Sequence, residues 1–299
     1  LEMRAVSFLQ RVFSRPAALG RTPEPVPAPV VAPPSLTADA FSRLRNGVVV
    51  YSSFRAGSHL LQGALSNLTS LYDVDEVFAR KSVDPASFLA YVTAPETDAT
   101  GLITDPEAHL AGYFEHLFAH TPTDAPLIFS LKYSQAHRLG VDDVTQAPVL
   151  LKQLVAYGIP VLHLVRRDVV GQAISHLVAD ATGQFIGSAP QDQRPIWLDP
   201  EIVVGLARTR AAEQRRADAH LAAISARVQR VMFEDLISAT SRAEALRRAL
   251  RFLDRFANVP DGYDPPTRPA QTARVVSNRV EIWDHVLSEA PDLASPLPG

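Results

Sequence analysis

The sequence predicts an α/β fold, layered and P-loop-like, with a central parallel sheet flanked by helices. Two observations carry that expectation. Short runs of branched and aliphatic residues, the kind that form buried strands, alternate with longer amphipathic runs. The first such strand, Gly47 to Tyr51, feeds a tight turn and then a helix start, which together make a phosphate cradle. Composition sets the outer limits. With 299 residues, 46% of them hydrophobic, the chain can bury a full core. It has no cysteine, which excludes disulfides and thiolate metal sites and fits a reducing, cytoplasmic setting. A net charge of −3 with both signs interspersed argues against nucleic-acid binding and leaves room for a local basic pocket. No apolar stretch is long enough to span a bilayer, and no signal-peptide pattern stands at the start.

Residues 1–35 are expected to form an arm and linker, and residues 36–299 a single domain. Residues 3–15 place Val6, Phe8, Leu9, Val12 and Phe13 among Arg4, Arg11 and Arg15, the pattern of a short basic amphipathic helix. Two readings stand: an arm frayed or docked on the body, and a peripheral membrane contact. Residues 16–34 hold seven prolines and read as an extended linker. After the first strand, Phe54 to Gly57 is a turn. Ser58 is expected to cap a helix whose apolar face is Leu60, Leu61, Ala64, Leu65 and Leu68. Residues 72–78 form an acidic stretch after a turn, and 83–112 form loops with one or two short helices. Helix signals return at 106–119. Residues 126–132 form a second strand, 148–157 a helix, 160–165 a third strand and 169–180 the helix leaving it. A long loop over 181–198 carries Phe185 and Trp197. A long helix, with a break allowed, runs from Asp199, with Pro200 at its first position, to Ser225. Residues 227–233 form the fourth strand. A helix over 241–257 puts Leu246, Leu250, Leu253 and Phe256 on one face, and the last helix covers 278–289.

Three stretches carry chemistry. The turn at 54–58 directs backbone N–H groups at one spot, the helix dipole adds partial positive charge, and Arg55 can clamp the anion held there. The Gly-Lys-Ser/Thr ending of a Walker loop is missing. At the carboxyl end of the third strand, where ligands gather in such sheets, stand Arg166, Arg167 and Asp168. Ser175 follows Arg167 by eight residues, so the two can grip one anion together; a surface salt bridge is the plain alternative. The fourth strand ends in Phe233-Glu234-Asp235-Leu236, whose carboxylates can pair with those arginines.

Together these stretches resemble the sulfotransferase superfamily, enzymes that use 3′-phosphoadenosine 5′-phosphosulfate. Arg55-Ala56-Gly57-Ser58-His59, continuing into Leu60, matches the family's phosphosulfate loop of basic-x-Gly-Ser/Thr-Thr. Arg167 and Ser175 match its 3′-phosphate site. Phe233-Glu234-Asp235-Leu236 matches a Tyr-Glu-Asp-Leu strand end, and Asn278-Arg-Val-Glu281 an Asn-x-x-Glu helix start. The resemblance spans residues 46–290. It is nearest to bacterial, carbohydrate-directed members such as the trehalose sulfotransferases, where Gln172-Ala-Ile-Ser175 also has a counterpart. Two positions depart. His59 replaces a second hydroxyl, so an imidazole N–H supplies that contact or the contact is lost. Phe233 replaces a tyrosine that often lies near the adenine.

The resemblance implies sulfuryl transfer to a hydroxyl of a carbohydrate, glycolipid or related small molecule, with the nucleotide as co-substrate and no metal. Negative charge grows on the bridging oxygen as the nucleotide leaves. Arg55 and the N–H groups of Gly57 to His59 are placed to stabilise it, with Lys132 as a second cation. The subgroup's general base is a glutamate in the turn after the first helix. Glu76 holds the matching place, and His59 is the rival. His163, in mid-strand, reads as a satisfied core histidine. Lys132 and Tyr133, at the second strand's end, are expected to face the cleft. Phe185 and Trp197 are suited to stacking on a sugar, holding an acyl chain or joining the core. Two other functions share the fold: a nucleotide-dependent kinase, against which the missing Walker lysine counts, and a nucleotide-binding module without chemistry.

Overall fold

The structure, a computed structural model, describes residues 36–79, 84–94, 106–122, 124–137, 145–183, 195–224, 226–255, 257–265 and 276–294. All of these lie in one unit, Pro33–Gly299. The expectations for residues 1–35, for Phe185 and for Phe256 fall outside the described residues.

Five parallel strands form one sheet in the order β2–β3–β1–β4–β5. They are β1 (Val48–Ser52), β2 (Tyr72–Asp73), β3 (Leu127–Lys132), β4 (Val161–Val165) and β5 (Val228–Met232). The helices between and after them are α1 (Ala38–Arg45), α2 (Ser58–Leu68), α3 (Phe88–Thr93), α4 (Pro106–Ala119), α5 (Tyr133–Ala136) and α6 (Val149–Ala156), then α7 (Val169–Thr182), α8 (Pro200–Ala223), α9 (Phe233–Ile237), α10 (Arg242–Phe252), α11 (Arg279–Glu289) and α12 (Pro291–Ala294). The layered α/β expectation therefore holds.

A Val-Val-Val-Tyr-Ser run suits the central strand, because branched side chains lose little rotamer freedom in a strand and both faces must be apolar. All five residues of β1 are buried. Strand alternation sorts the core around them. On one face Tyr51, Phe129, Leu131 and Val161 pack with Phe78, Phe114 and Leu154. On the other, Val50, Ile128, Leu162 and Leu164 meet Leu61 and Leu65 of α2 and Leu246 and Leu250 of α10. Each such side chain contributes about 1.5–3 kcal/mol when fully buried. A third cluster joins α7, α8 and α11 through Val170, Ile174, Val203, Ile282 and Val286. No helix among the described residues is long and apolar enough to cross a membrane.

Several local expectations are corrected. Residues 72–73, read as part of an acidic stretch after a turn, form a two-residue edge strand paired with Leu127 and Ile128. Ser58 does not cap α2: Gly57 holds the N-cap at φ 93, and Ser58 is the first helical residue. Phe233 leaves the fourth strand and opens α9. The long helix is unbroken from Pro200 to Ala223, with the Asp199 side chain accepting from the Glu201 N–H at 2.9 Å.

Tyr133, expected to face the cleft, lies in the core instead. Its hydroxyl is 2.7 Å from His163 Nε2, and His163 Nδ1 is 3.3 Å from Asp218 Oδ1. His163 is thus the satisfied core histidine its mid-strand position suggests. Burial pulls its pKa below 6.5 despite the opposing pull of Asp218. Burial, and then Arg210, pulls His176 down as well. The unfolded chain takes up protons near the ordinary value while the folded chain resists them. Stability is therefore full above that value and is lost as pH falls toward the folded pKa. The denaturation midpoint is expected to fall between about pH 7 and about pH 5, a tenfold difference in proton affinity between the two states being worth about 1.4 kcal/mol. His163→Gln keeps a hydrogen-bonding partner for Tyr133 and should flatten that decline. An undiminished slope in the variant would assign it to other groups.

Candidate functional site

Register places the carboxyl ends of three strands level: Ser52 of β1 pairs with Lys132 of β3 and with Leu164 of β4. The chain leaves β1 toward β2 on one side, while β4 lies on the other. The crevice between the ends of β1 and β4 is the switch point where a sheet of this type receives a ligand. The β1 turn supplies one wall and residues 166–168 the other.

Three hydrogen bonds tie the walls together. Arg55 Nε donates to Ser175 Oγ at 3.1 Å. Arg166 Nη1 donates to the Arg55 carbonyl at 3.3 Å, and Gln172 Nε2 to the Phe54 carbonyl at 2.6 Å. Behind them Gln214 of α8 donates to the Arg166 carbonyl at 2.8 Å. Arg55 holds φ 61, a left-handed conformation that costs energy for any residue with a Cβ. Burial, and then the charge of Arg166, pushes its pKa down.

Gly57 is a bare cap: no side chain accepts from the first turn of α2. The N–H groups of Ser58, His59 and Leu60 therefore have no intrahelical partner and remain available to an anion. The Phe233 ring covers Gly57 so closely that a Cβ there would lie 2.5 Å from its Cδ2. The Arg166 guanidinium sits 4.7 Å from the centre of the same ring. The Asp168 carboxylate caps α7, accepting from the Gly171 N–H at 2.7 Å.

The β3 side brings the remaining groups. Lys132 is buried; its Nζ donates to Ser58 Oγ at 2.5 Å and lies 3.0 Å from Glu76 Oε1. Gln135 Nε2 donates to Glu76 Oε2 at 3.2 Å. Burial lowers the Lys132 pKa, and Glu76 opposes that. His59 Nδ1 is 3.0 Å from Asp75 Oδ1, and its Nε2 is 3.9 Å from Glu76 Oε1. Burial alone would raise the Asp75 carboxyl. The His59 hydrogen bond and charge, with Lys132, outweigh it, and the pKa falls below its ordinary value. The ligand-type atoms of His59, Asp75 and Glu76 all lie within 4.8 Å of one another, a grouping their linear spacing does not announce. Lys132 already places one cation on Glu76.

Of the residues singled out from sequence, Arg55, Gly57, Ser58, His59, Glu76, Lys132, Ser175 and Phe233 meet around this crevice, with Ala56 and Leu60 buried behind the turn. Arg167 is the exception. Its Nε lies 3.6 Å from Glu234 Oε2, while Ser175 is engaged by Arg55. The arginine packed against the cradle is its neighbour Arg166. Glu234 Oε1 also accepts from the Asp168 N–H at 3.0 Å, and Asp235 pairs with Arg248 at 3.2 Å. Trp197 does not join the core; it is 59% exposed.

Sequence reading missed a brace beneath the turn. Ser53 Oγ donates to Glu213 Oε2 at 3.0 Å, and Arg210 Nη1 reaches the same oxygen at 2.8 Å. A signal did exist. Arg210, Gln214 and Asp218 recur every four residues on α8, which puts polar groups on one face. Arg210 and Gln214 are both buried.

No family model matches this chain, and no curated protein matches it. Among solved structures it is similar to the sulfotransferase domain of the olefin synthase from Synechococcus PCC 7002. The two share 14% identity and a TM-score of 0.37, over 84% of this chain and 95% of that one. A likeness of that degree leaves function to the side chains themselves.

Proposed function

We propose that this chain is a sulfotransferase, moving a sulfuryl group from 3′-phosphoadenosine 5′-phosphosulfate to a hydroxyl of a carbohydrate, glycolipid or related small molecule. The observation that carries the reading is the Arg55–Ser175 hydrogen bond. It joins two anion sites read separately from the sequence, 120 residues apart. A nucleotide with anionic groups at both ends needs that pairing. The bare N–H groups of α2 and Arg55 suit its phosphosulfate. Ser175 and the arginines after β4 suit its 3′-phosphate, with Arg167 exchanging Glu234 for the ligand.

In the proposed reaction the acceptor oxygen forms a bond to sulfur in line as the bond from sulfur to the bridging oxygen breaks. The nucleotide bisphosphate leaves with a new negative charge. Arg55, Lys132 and the N–H groups of Gly57 to His59 face that charge before it develops, which is how a preorganised site lowers a barrier. The hydroxyl proton passes to Glu76, whose carboxylate is oriented by Lys132 and Gln135. His59, held by Asp75, lines the same pocket. In the same proposal the enzyme works in the cytoplasm without metal or nucleic acid. Residues 3–15 touch the membrane where the acceptor is lipid-linked.

Thermal denaturation of the full chain tests the nucleotide. Adenosine 3′,5′-bisphosphate at a hundredfold excess over its Kd should stabilise by about 2.7 kcal/mol. ATP with Mg²⁺ should do less. A larger shift with ATP would turn the reading toward a kinase, and no shift with either would sink it.

A further inference from the structure

The amino-terminal ends of the strands, opposite the cradle, enclose a second cleft of about 670 Å³. Its lining comes from residues just before β1, β3, β4 and β5, among them Gly47, Pro126, Pro160 and Arg227. Two kinds of surface meet there. Val155, Ile159 and Leu253, with the two prolines, give an apolar floor. Arg45, Arg227 and Arg255 add three guanidinium groups against a single carboxylate, Asp254, in a chain whose net charge is negative.

The three arginines are not equally engaged. Arg255 Nη2 donates to the Asn46 carbonyl at 2.6 Å, and burial lowers its pKa. Arg227 Nη2 lies 2.6 Å from Asp254 Oδ2, and its guanidinium sits 5.0 Å from the Phe252 ring centre. Arg45, in the last turn of α1, is exposed.

Asp254 itself is unusual. The Arg255 N–H donates to the Leu250 carbonyl at 2.9 Å and the Asp254 N–H to the Arg251 carbonyl at 3.1 Å, the two bonds of a Schellman closure on α10. In that closure the residue at Asp254 must be left-handed, and it is, at φ 53. Glycine is the usual occupant. Here a strained aspartate stands instead and covers one of the cleft's cations.

We propose that this cleft binds a small organic anion, a phosphate or sulfate head on a short alkyl or single-ring body, with Asp254 as a built-in competitor for the head. The head lies among Arg45, Arg227 and Arg255, which match its oxygens in the way guanidinium groups do. The body covers the apolar floor. A cleft of this volume suits a free small molecule, not a diacyl lipid.

Isothermal titration calorimetry on the full chain tests this with hexyl phosphate, inorganic phosphate and hexanol as probes. Hexyl phosphate should bind more tightly than either of the others. Arg45→Gln alters an exposed helix residue and should weaken it about fivefold. Asp254→Gly removes the competitor, suits the left-handed backbone, and should tighten binding by about the same factor. Hexyl phosphate binding at the cradle instead would leave both variants at the wild-type Kd, and either variant alone with an unchanged Kd overturns the proposal. Binding of hexanol or inorganic phosphate as tight as that of hexyl phosphate overturns it as well.

Discussion

Replacing Glu76 by glutamine should slow the proposed sulfate transfer by about 10²–10⁴-fold, the usual contribution of a positioned general base. The amide has nearly the same shape and keeps an oxygen for Lys132 Nζ, which lies 3.0 Å from Oε1 in the native pair. It cannot take the acceptor's proton. Nucleotide affinity should hold, because Arg55, Ser175 and the bare first turn of α2 lie outside the change. Lys132 would lose the neighbour that opposes its desolvation, so its pKa should fall further. The decisive comparison is kcat for Glu76→Gln against kcat for His59→Gln, with adenosine 3′,5′-bisphosphate binding measured in both. A full rate in the first variant and a collapsed rate in the second would transfer the role to His59.

Gly57→Ala should lose most nucleotide binding. Two penalties act at one atom. The left-handed backbone at φ 93 costs a residue with a Cβ about 1–2 kcal/mol. The new methyl would also meet the Phe233 ring at 2.5 Å, and forced overpacking costs about 1–3 kcal/mol. Adding Phe233→Leu separates them, because it relieves the contact and leaves the backbone strain. Titration calorimetry should find partial recovery in the double variant. Complete recovery would mean that backbone conformation contributes nothing at this turn, and native affinity in Gly57→Ala alone would mean that the cradle needs no such approach.

Much of this arrangement is legible in the sequence. β1, its turn and α2 can be read because a Val-rich run, a glycine and an amphipathic helix each carry their own periodicity. Lys132 can be placed as well. Tyr133 is not where sequence reading puts it: it opens α5 just past the strand, and its hydroxyl meets His163 inside the core, a contact across 30 residues. β2 is beyond reach: two residues show no alternation, and their strand character comes from pairing with Leu127 and Ile128. Preferring Arg167 to Arg166 as the cradle's neighbour fails for a similar reason. Two adjacent cations look alike in sequence, and only the ring of Phe233 and the carboxylate of Glu234 sort them. The brace of Ser53, Arg210 and Glu213 is legible only in part: the four-residue recurrence on α8 marks Arg210, but the contacts that bring Ser53 to it span more than 150 residues, which no local pattern encodes.

Gln172 and Gln214 carry no charge, yet one holds the Phe54 carbonyl and the other the Arg166 carbonyl from sealed positions beneath the crevice. Ionic strength that screens exposed arginines cannot reach such neutral struts. That part of the alignment of the two walls is thereby uncoupled from the salt-sensitive capture of the proposed nucleotide.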